Sequence, residues 1–294
     1  MRMKNLLKSV GYTVSIALVA GFVAATPANA SYENVYNNPN LFYVVDKQHK
    51  LSLNYDVYAG GFKALNASLM MDLDKKAYDM TLEAETQGFI ASIFPWKASF
   101  NTSGHAEKGT LTPTIYRERN SWRKGVKITE MSYAPDGKVL KTTTQADGKT
   151  TTDRDINDVL ARNSMDLLTG TLIILQSVKN THKCTGQFPI FDGKHRFNIT
   201  LMDDGKEILP PSKYSSFEGE ALRCTIKVVP VAGFKQKDNK RGWMAVQNHT
   251  EAHHKLPTLW LARMKNSTQI VPVRMEIASD YGSVVAHLSK ETEN

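Results

Sequence analysis

The sequence predicts an all-β protein, mainly antiparallel, in which an open barrel or β-spiral is covered by one or two short helices. Three observations predict this fold class. Apolar and polar residues alternate with a period of two over most of the chain, and Asp-Gly dipeptides separate the alternating segments. Only one stretch, Asp155 to Val178, has apolar residues at helical spacing. We expect one β domain over residues 46–290, a normal size for barrels and sandwiches.

The first clear hairpin is predicted on either side of Lys75-Lys76. Apolar side chains recur at every second position in both arms, and polar ones occupy the positions between them. Such alternation is typical of a sheet with one buried and one solvated face. The apolar positions are Leu65, Ala67, Leu69, Met71 and Leu73 in the first arm and Tyr78, Met80, Leu82 and Ala84 in the second.

Further strands are predicted around four Asp-Gly dipeptides, because Asp-Gly supplies the positive φ angles of tight hairpins. The dipeptides are Asp136-Gly137, Asp147-Gly148, Asp192-Gly193 and Asp204-Gly205. Alternation resumes at Ala221–Val231 and at Ile270–Leu288. Pro272 favours an edge strand or the start of a strand.

The helical stretch places Leu167, Leu168, Leu172 and Leu175 at three- and four-residue steps. We expect one or two short helices that begin near Asp155 and again near Ser164 or Asp166, since either of the last two residues can cap a helix. Gly170 weakens the helical prediction. A helix this apolar is expected to cover the open end or a face of the sheet.

The N-terminus has the features of a cleaved signal peptide over residues 1–30. Arg2, Lys4 and Lys8 precede an apolar stretch too short to span a membrane, and Ala28-Asn29-Ala30 forms the expected cleavage site. Residues 31–45 are expected to form a loose leader. The sequence therefore predicts a periplasmic protein that does not span the membrane. Three of its eight surplus positive charges belong to the predicted signal peptide, and the remaining +5 points to envelope surfaces, because export removes nucleic acid as a partner.

Cys184 and Cys224 are the only cysteines. In an oxidising compartment an even pair is most simply a disulfide, here closing a loop of about 40 residues. Two free buried thiols or half of a metal site are the alternatives. No CxxC motif and no cysteine-histidine spacing of the zinc type accompany the pair.

Several segments resemble the exported bacterial family known as domain of unknown function 3108. They are Asn163–Leu175, Phe191–Leu201 with its FDG turn, Leu259–Leu261 with Val271–Leu288, and the early strand Leu53–Phe62. The resemblance implies an all-β, barrel-like or spiral fold in the periplasm, with no enzymatic activity assigned. It also implies a distant similarity to β-spiral envelope-integrity proteins that have one disulfide.

Catalytic and metal motifs are weak. His249 and His253 would share a helical face, but the stretch His249–His254 lacks the HExxH order, and an exposed loop explains it as well. Glu83 and Glu85 lie on one face of a predicted strand, roughly 7 Å apart by the strand rise, which is near the separation of the paired carboxylates in glycosidases. A solvated strand face explains the two residues as well. There is no GxSxG elbow, P-loop or dinucleotide fingerprint. We therefore predict no catalytic residue, no metal and no cofactor.

A candidate binding surface combines basic and aromatic residues, namely Arg117, Arg119, Trp122, Arg123 and Lys124. A second basic run comprises Lys235, Lys237, Lys240 and Arg241. Both could face anionic lipid or cell-wall polymers, and both could equally be solvated strand faces. Aromatic residues could line a ligand cavity or pack in the core: Phe94, Trp96, Phe100, Tyr116, Trp122, Trp243 and Trp260.

These observations favour a non-enzymatic periplasmic protein that supports cell-envelope integrity. It would bind a hydrophobic or envelope-derived ligand, such as lipid, lipopolysaccharide or peptidoglycan, or a periplasmic protein partner. The alternative is a hydrolase that acts on cell-wall or lipid material through dispersed acidic residues. That alternative predicts carboxylates that converge in a cleft and have raised pKa values.

Overall fold

A computed structural model describes residues 48–107, 109–123, 125–235, 250, 255–264, 267–279 and 282–293. The predicted signal peptide and leader, residues 1–45, lie outside this part, as do the histidines of the 249–254 stretch. The division of the chain at residues 30 and 45 therefore stays a prediction.

Fourteen strands of the described part form one antiparallel sheet with the order β8-β7-β6-β5-β4-β3-β2-β1-β14-β13-β12-β11-β10-β9. Their bounds are β1 His49–Ala59, β2 Phe62–Leu73, β3 Ala77–Thr86, β4 Trp96–Glu107, β5 Thr110–Trp122, β6 Gly125–Tyr133, β7 Val139–Ala146, β8 Lys149–Asp153, β9 Gly186–Phe191, β10 Arg196–Leu209, β11 Gly219–Ala232, β12 Thr258–Arg263, β13 Ile270–Ser279 and β14 Gly282–Glu293. Pairing of β1 with β14 joins the two halves of the chain. The predicted all-β, mainly antiparallel fold is confirmed.

The sheet does not close, so it has two edges, and each edge is protected. At one edge, all five residues of β8 are exposed, and the strand is short and rich in Lys and Thr. Short, charged edge strands discourage pairing with other chains. At the other edge, Met165 forms an isolated β-bridge with β9. Its N–H donates to Pro189 O at 3.2 Å, and its carbonyl accepts from Phe191 N–H at 2.9 Å.

The three helices of the described part are α1 Gly88–Ile93, α2 Asp158–Ala161 and α3 Leu167–Thr181. The prediction of one or two short helices near Asp155 and Asp166 is confirmed by α2 and α3, whereas α1 was not predicted. Asp166 is the N-cap of α3. None of these helices is long and apolar enough to cross a membrane.

Helix α3 fills the concave side of the sheet. It packs against β3, β4 and β5 from one half of the sheet and against β9 and β13 from the other. Eleven of its 15 residues are buried, and a helix buried on nearly every side belongs to a core. Leu168, Leu172 and Val178 are almost completely inaccessible. The helix thus occupies the space that a ligand-binding barrel would leave empty.

Gly170, which weakened the helical prediction, is what lets α3 approach β9. A Cβ at this position would lie 2.3 Å from Ile190 Cδ1, far inside van der Waals contact. Glycine lowers helix propensity by roughly 0.5–1 kcal/mol relative to alanine. Tertiary packing outweighs that cost here.

Three of the four Asp-Gly dipeptides form the predicted hairpin turns, and the fourth does not. Asp136-Gly137, Asp147-Gly148 and Asp192-Gly193 connect β6 to β7, β7 to β8 and β9 to β10. Asp204-Gly205 instead lies inside β10, where the pairing register with β11 shifts. A positive φ is equally suited to a β-bulge, so the dipeptide alone does not distinguish the two structures.

A disulfide joins Cys184, which follows α3, to Cys224 in the middle of β11. The predicted pairing is therefore confirmed, and the two alternatives with free cysteines are wrong. The loop of 40 residues corresponds to a stabilisation of roughly 4 kcal/mol in the chain-entropy description. The bridge ties the C-terminal end of α3 to the sheet.

Candidate binding surface and polar interior

The predicted basic surface is divided between the two faces of β5. Arg117 and Arg119 are exposed on the convex face. Trp122 follows the opposite alternation, with the fully buried Tyr116, and packs half-buried against the core. The structure therefore brings the two arginines together and separates Trp122 from them.

The remaining residues of the predicted surface lie in the turn between β5 and β6. Arg123 is exposed, and its Nη2 donates to Ser92 O at 2.9 Å, which attaches the turn to α1. Lys124 lies outside the described residues. Arg123 thus links the end of β5 to the exposed helix α1.

Most of the aromatic residues considered as a cavity lining pack in the core. Trp96, Phe100 and Tyr116 are at most 5% exposed. Trp260 lies on the convex face, where the guanidinium of Arg274 stacks 4.7 Å from its ring centre. Phe94 and Trp122 pack against the core, and Trp243 lies outside the described residues.

The concave side of β5, β6 and β7 is polar near the turn between β9 and β10. Its inward-facing residues include Glu118, Asn120, Lys127, Thr129 and Thr142. Gly193 of the β9–β10 turn packs closely against this polar surface: a Cβ on Gly193 would lie 2.9 Å from Thr129 Cγ2. The turn therefore covers the part of the concave face that α3 leaves open.

Asp192 holds the β9–β10 turn in shape. Its Oδ1 accepts from the N–H groups of Lys194 at 2.9 Å and His195 at 2.6 Å, and its Oδ2 lies 2.9 Å from His195 Nδ1. Burial alone would raise the pKa of Asp192. The hydrogen bonds and the charge of His195 outweigh burial and lower that pKa below its ordinary value.

Glu118 is the most perturbed acid of the polar interior. Its pKa is raised from 4.5 to about 7, chiefly by burial, with a smaller contribution from the nearby carboxylate of Asp192. Lys127 and a hydrogen bond from Asn120 Nδ2 act in the opposite direction and limit the increase. A carboxyl group with this pKa can exchange a proton near neutral pH. Two acids and one lysine thus converge on the concave side.

Asp166 has a raised pKa for a structural reason. Burial raises its pKa to about 6, although its carboxylate accepts from Leu168 N, Thr169 N, Thr169 Oγ1 and Thr102 Oγ1. All of these donors belong to α3 or to the strand beneath it. They fix the N-terminus of the helix on β4, so the acid serves the fold.

The Asp192–His195 pair has the geometry of two members of a catalytic triad. His195 Nε2, however, lies 2.8 Å from Lys194 Nζ, and the imidazole stacks on Phe234 with ring centres 4.6 Å apart. A triad needs a nucleophilic hydroxyl or thiol at that nitrogen. Lys194 and Phe234 do not supply such a group, so these contacts assign the pair a role in stabilising the turn.

An open cleft of about 580 Å³ lies at the ends of β11, β12 and β14. The loop between β10 and β11 forms one wall, with Lys213, Ser216 and Glu218, while Arg263 and Glu291 line the other side. The lining is mainly polar and carries both signs of charge. The cleft is thus unlike the apolar chamber expected for a hydrophobic ligand.

The weaker candidates can also be placed. Glu85 is exposed and forms an ion pair with Lys97 at 3.5 Å, in agreement with a solvated strand face. No group of three or more metal-ligating residues occurs among the residues that the structure describes. The stretch from His249 to His254 and the residues Lys237, Lys240 and Arg241 lie outside that part, apart from Thr250.

The polar interior was not predicted from the sequence. The signal was present in β5, where Glu118 and Asn120 continue the inward alternation that begins at Tyr116. A second signal was the FDG turn, whose aspartate accepts backbone hydrogen bonds. Neither signal indicates on its own that the two segments, about 70 positions apart in the chain, meet on the concave face.

Fold and site together define a class of protein: an open, antiparallel, barrel-like β-sheet that surrounds a buried helix, with one disulfide that links the segment after the helix to the sheet. The family described as "Protein of unknown function (DUF3108)" matches residues 54–289, so the chain belongs to that family. Among solved structures, it is similar to a "Beta-barrel-like Protein of Domain of Unknown Function DUF1849" from Brucella abortus. That similarity has 9% identity and a TM-score of 0.42 and covers 84% of this chain and 97% of the other. No curated protein matches.

Proposed function

We propose that the protein is a periplasmic, non-enzymatic protein that supports cell-envelope integrity by contact with an envelope component or a periplasmic protein. The observation that carries this proposal is the filled concave side. Helix α3 and the β9–β10 turn occupy the space in which a barrel would hold a small ligand. We therefore expect the contact to be made by the convex surface or by the ends of the barrel.

The convex surface offers residues for such a contact. Arg117 and Arg119 are exposed side by side on β5, roughly 7 Å apart by the strand rise. Anionic lipid headgroups and lipopolysaccharide phosphates attract such groups by about 1 kcal/mol per charge, in a salt-dependent manner. Arginine also forms bidentate hydrogen bonds with phosphate.

Deletion of the gene tests the proposed function. We expect the deletion strain to be more sensitive to detergent and to cell-wall antibiotics, and the wild-type gene to restore resistance. A gene with Arg117→Gln and Arg119→Gln should restore it incompletely. The matched control is Lys290→Gln with Lys138→Gln, which removes two exposed positive charges elsewhere. Unchanged sensitivity of the deletion strain would contradict an envelope role.

A hydrolase is the second candidate, and the polar interior favours it. Glu118, with a pKa of about 7, faces Asp192 and Lys127, which is the convergence of acids that a hydrolase requires. The test is turnover of peptidoglycan and phospholipid by the purified protein. Activity that disappears in Glu118→Gln would establish the hydrolase, and absence of turnover in the wild type would exclude it for these substrates.

A further inference from the structure

Two of the most exposed large apolar side chains of the described part lie at one end of the barrel. Phe62, at the start of β2, is 76% exposed, and Phe89 of α1 is 73% exposed. The two segments are adjacent, because the N–H of Gln87, which precedes α1, donates to Ala64 O in β2 at 2.9 Å. Exposed aromatic residues that are close together on one surface mark an interaction site more often than scattered ones do.

Helix α1 has no buried residue and no charged residue. Its sequence is Gly-Phe-Ile-Ala-Ser-Ile, and Ile90 and Ile93 are half-buried. Burial of side chains in the core therefore does not explain why this segment is apolar. A solvent-exposed turn of helix would ordinarily carry polar residues.

Basic residues surround this apolar end. Arg123 donates to the carbonyl of Ser92 in α1, and a neutral partner leaves the positive charge of its guanidinium in place. Lys63 and Lys97 flank the same end, although Asp56 and Glu85 are their acidic neighbours at 2.9 and 3.5 Å. Arg119 follows on the convex face of β5.

This combination of groups matches one kind of surface. Interfacial binding to a bilayer requires aromatic or aliphatic side chains that enter the headgroup region and basic side chains that remain in contact with anionic phosphate. An apolar protein partner would explain the phenylalanines but would not require the arginines. Charge complementarity therefore favours an anionic membrane surface as the occupant.

We propose that α1 and the β1–β2 turn, with Phe62, Phe89 and Arg123, form a docking surface for anionic phospholipid bilayers. The proposal rests on the proposed function and names the envelope component that this end of the protein contacts. The bilayer contact would orient the barrel with its long strands pointing away from the membrane and leave the opposite end, with the polar cleft, accessible.

Cosedimentation with vesicles tests the docking surface. Purified protein is mixed with vesicles of phosphatidylglycerol and phosphatidylethanolamine, or with vesicles of phosphatidylcholine alone. We expect binding to the anionic vesicles that weakens with salt and binding to the neutral vesicles that is at least tenfold weaker. Phe62→Ser with Phe89→Ser should reduce anionic binding at least tenfold, and Arg123→Gln about fivefold.

Matched variants control for apolar exposure and charge elsewhere. Ile208 is 76% exposed on β10, which five strands separate from β2 in the sheet, so Ile208→Ser should bind like the wild type. Lys290→Gln serves in the same way for the loss of one charge. All variants share the same N-terminal segment, so their differences report on the substituted positions. Urea unfolding confirms that each variant is folded.

Absence of binding to anionic vesicles, or equal binding by the double phenylalanine variant, would overturn the docking proposal. If the deletion strain is nevertheless sensitive to detergent, the envelope role stands without this contact. If vesicles bind as expected but the deletion strain is unaffected, the docking surface stands and the envelope role fails. A double variant that binds vesicles normally but fails to complement would indicate a protein partner at this end.

Discussion

Replacement of Glu118 by glutamine should make the folded protein more stable at neutral and alkaline pH. Glu118 lies on the concave side of the sheet, where burial and the Asp192 carboxylate disfavour its ionised form. Glutamine has nearly the same shape as the protonated acid, and its carbonyl oxygen can still accept the hydrogen bond from Asn120 Nδ2. The substitution thus removes a charge without removing the contact.

The size and sign follow from linkage between protonation and folding. The pKa of Glu118 is about 7 in the folded protein and 4.5 when solvated, so the folded state binds an additional proton between these pH values. The contribution of this proton to the free energy of unfolding is fully present below pH 4.5 and is lost as the pH rises through 7. The folded and solvated pKa values differ by about 2.5, and each pKa unit corresponds to about 1.36 kcal/mol, so the total loss is roughly 3 kcal/mol.

Urea unfolding followed by tryptophan fluorescence at pH 4, 5, 6, 7 and 8 measures this difference. We expect the variant and the wild type to have similar stability at pH 4, and the variant to be more stable by up to about 3 kcal/mol at pH 8. Glu83→Gln removes a carboxylate from the opposite, solvated face of β3 and controls for net charge. Parallel pH profiles of variant and wild type would refute the assigned environment of Glu118.

Three further predictions concern stability and use the same urea assay. Gly170→Val should lower the free energy of unfolding by about 1–3 kcal/mol, because the new side chain overlaps Ile190; equal stability would show that α3 can shift away from β9. Cys184→Ser with Cys224→Ser should cost roughly 4 kcal/mol, and reductant should leave the variant unaffected while it destabilises the wild type. Leu168→Ala should cost about 2–5 kcal/mol, and a much smaller loss would mean that α3 is not the centre of the core.

The regular part of the fold was predictable because its signals are local. Alternation in the strands on either side of Lys75-Lys76 follows from a sheet with one buried face, and the structure pairs Leu69 with Leu82 and Met71 with Met80 on that face. The spacing of apolar residues after Asp166 likewise requires only the periodicity of a helix. Pairing of the cysteines followed from their number and the expected compartment.

The missed features depend on contacts between distant segments. Nothing near Gly170 in the sequence indicates that Ile190 will approach it, and nothing near Asp204 distinguishes a bulge from a hairpin turn. Helix α1 is too short to show a period of 3.6 residues. The polar interior forms because the β9–β10 turn packs against Thr129 in the folded protein. The proximity of Glu118 and Asp192 could therefore not be predicted from their positions in the chain.

The division of the concave face explains why the barrel can remain open. Where α3 lies, the face is apolar and the helix buries it. Beyond the N-terminus of α3, Glu118, Lys127 and Thr129 are polar and the β9–β10 turn packs over them. Closure of the sheet would bring β8 beside β9, but β8 exposes every residue and Met165 already occupies the edge of β9. The edges are therefore satisfied without pairing to each other. Since α3 and the β9–β10 turn fill the interior, the described part of the chain leaves its outer surface, its ends and the short polar segment beneath Asp192 for contact with a partner.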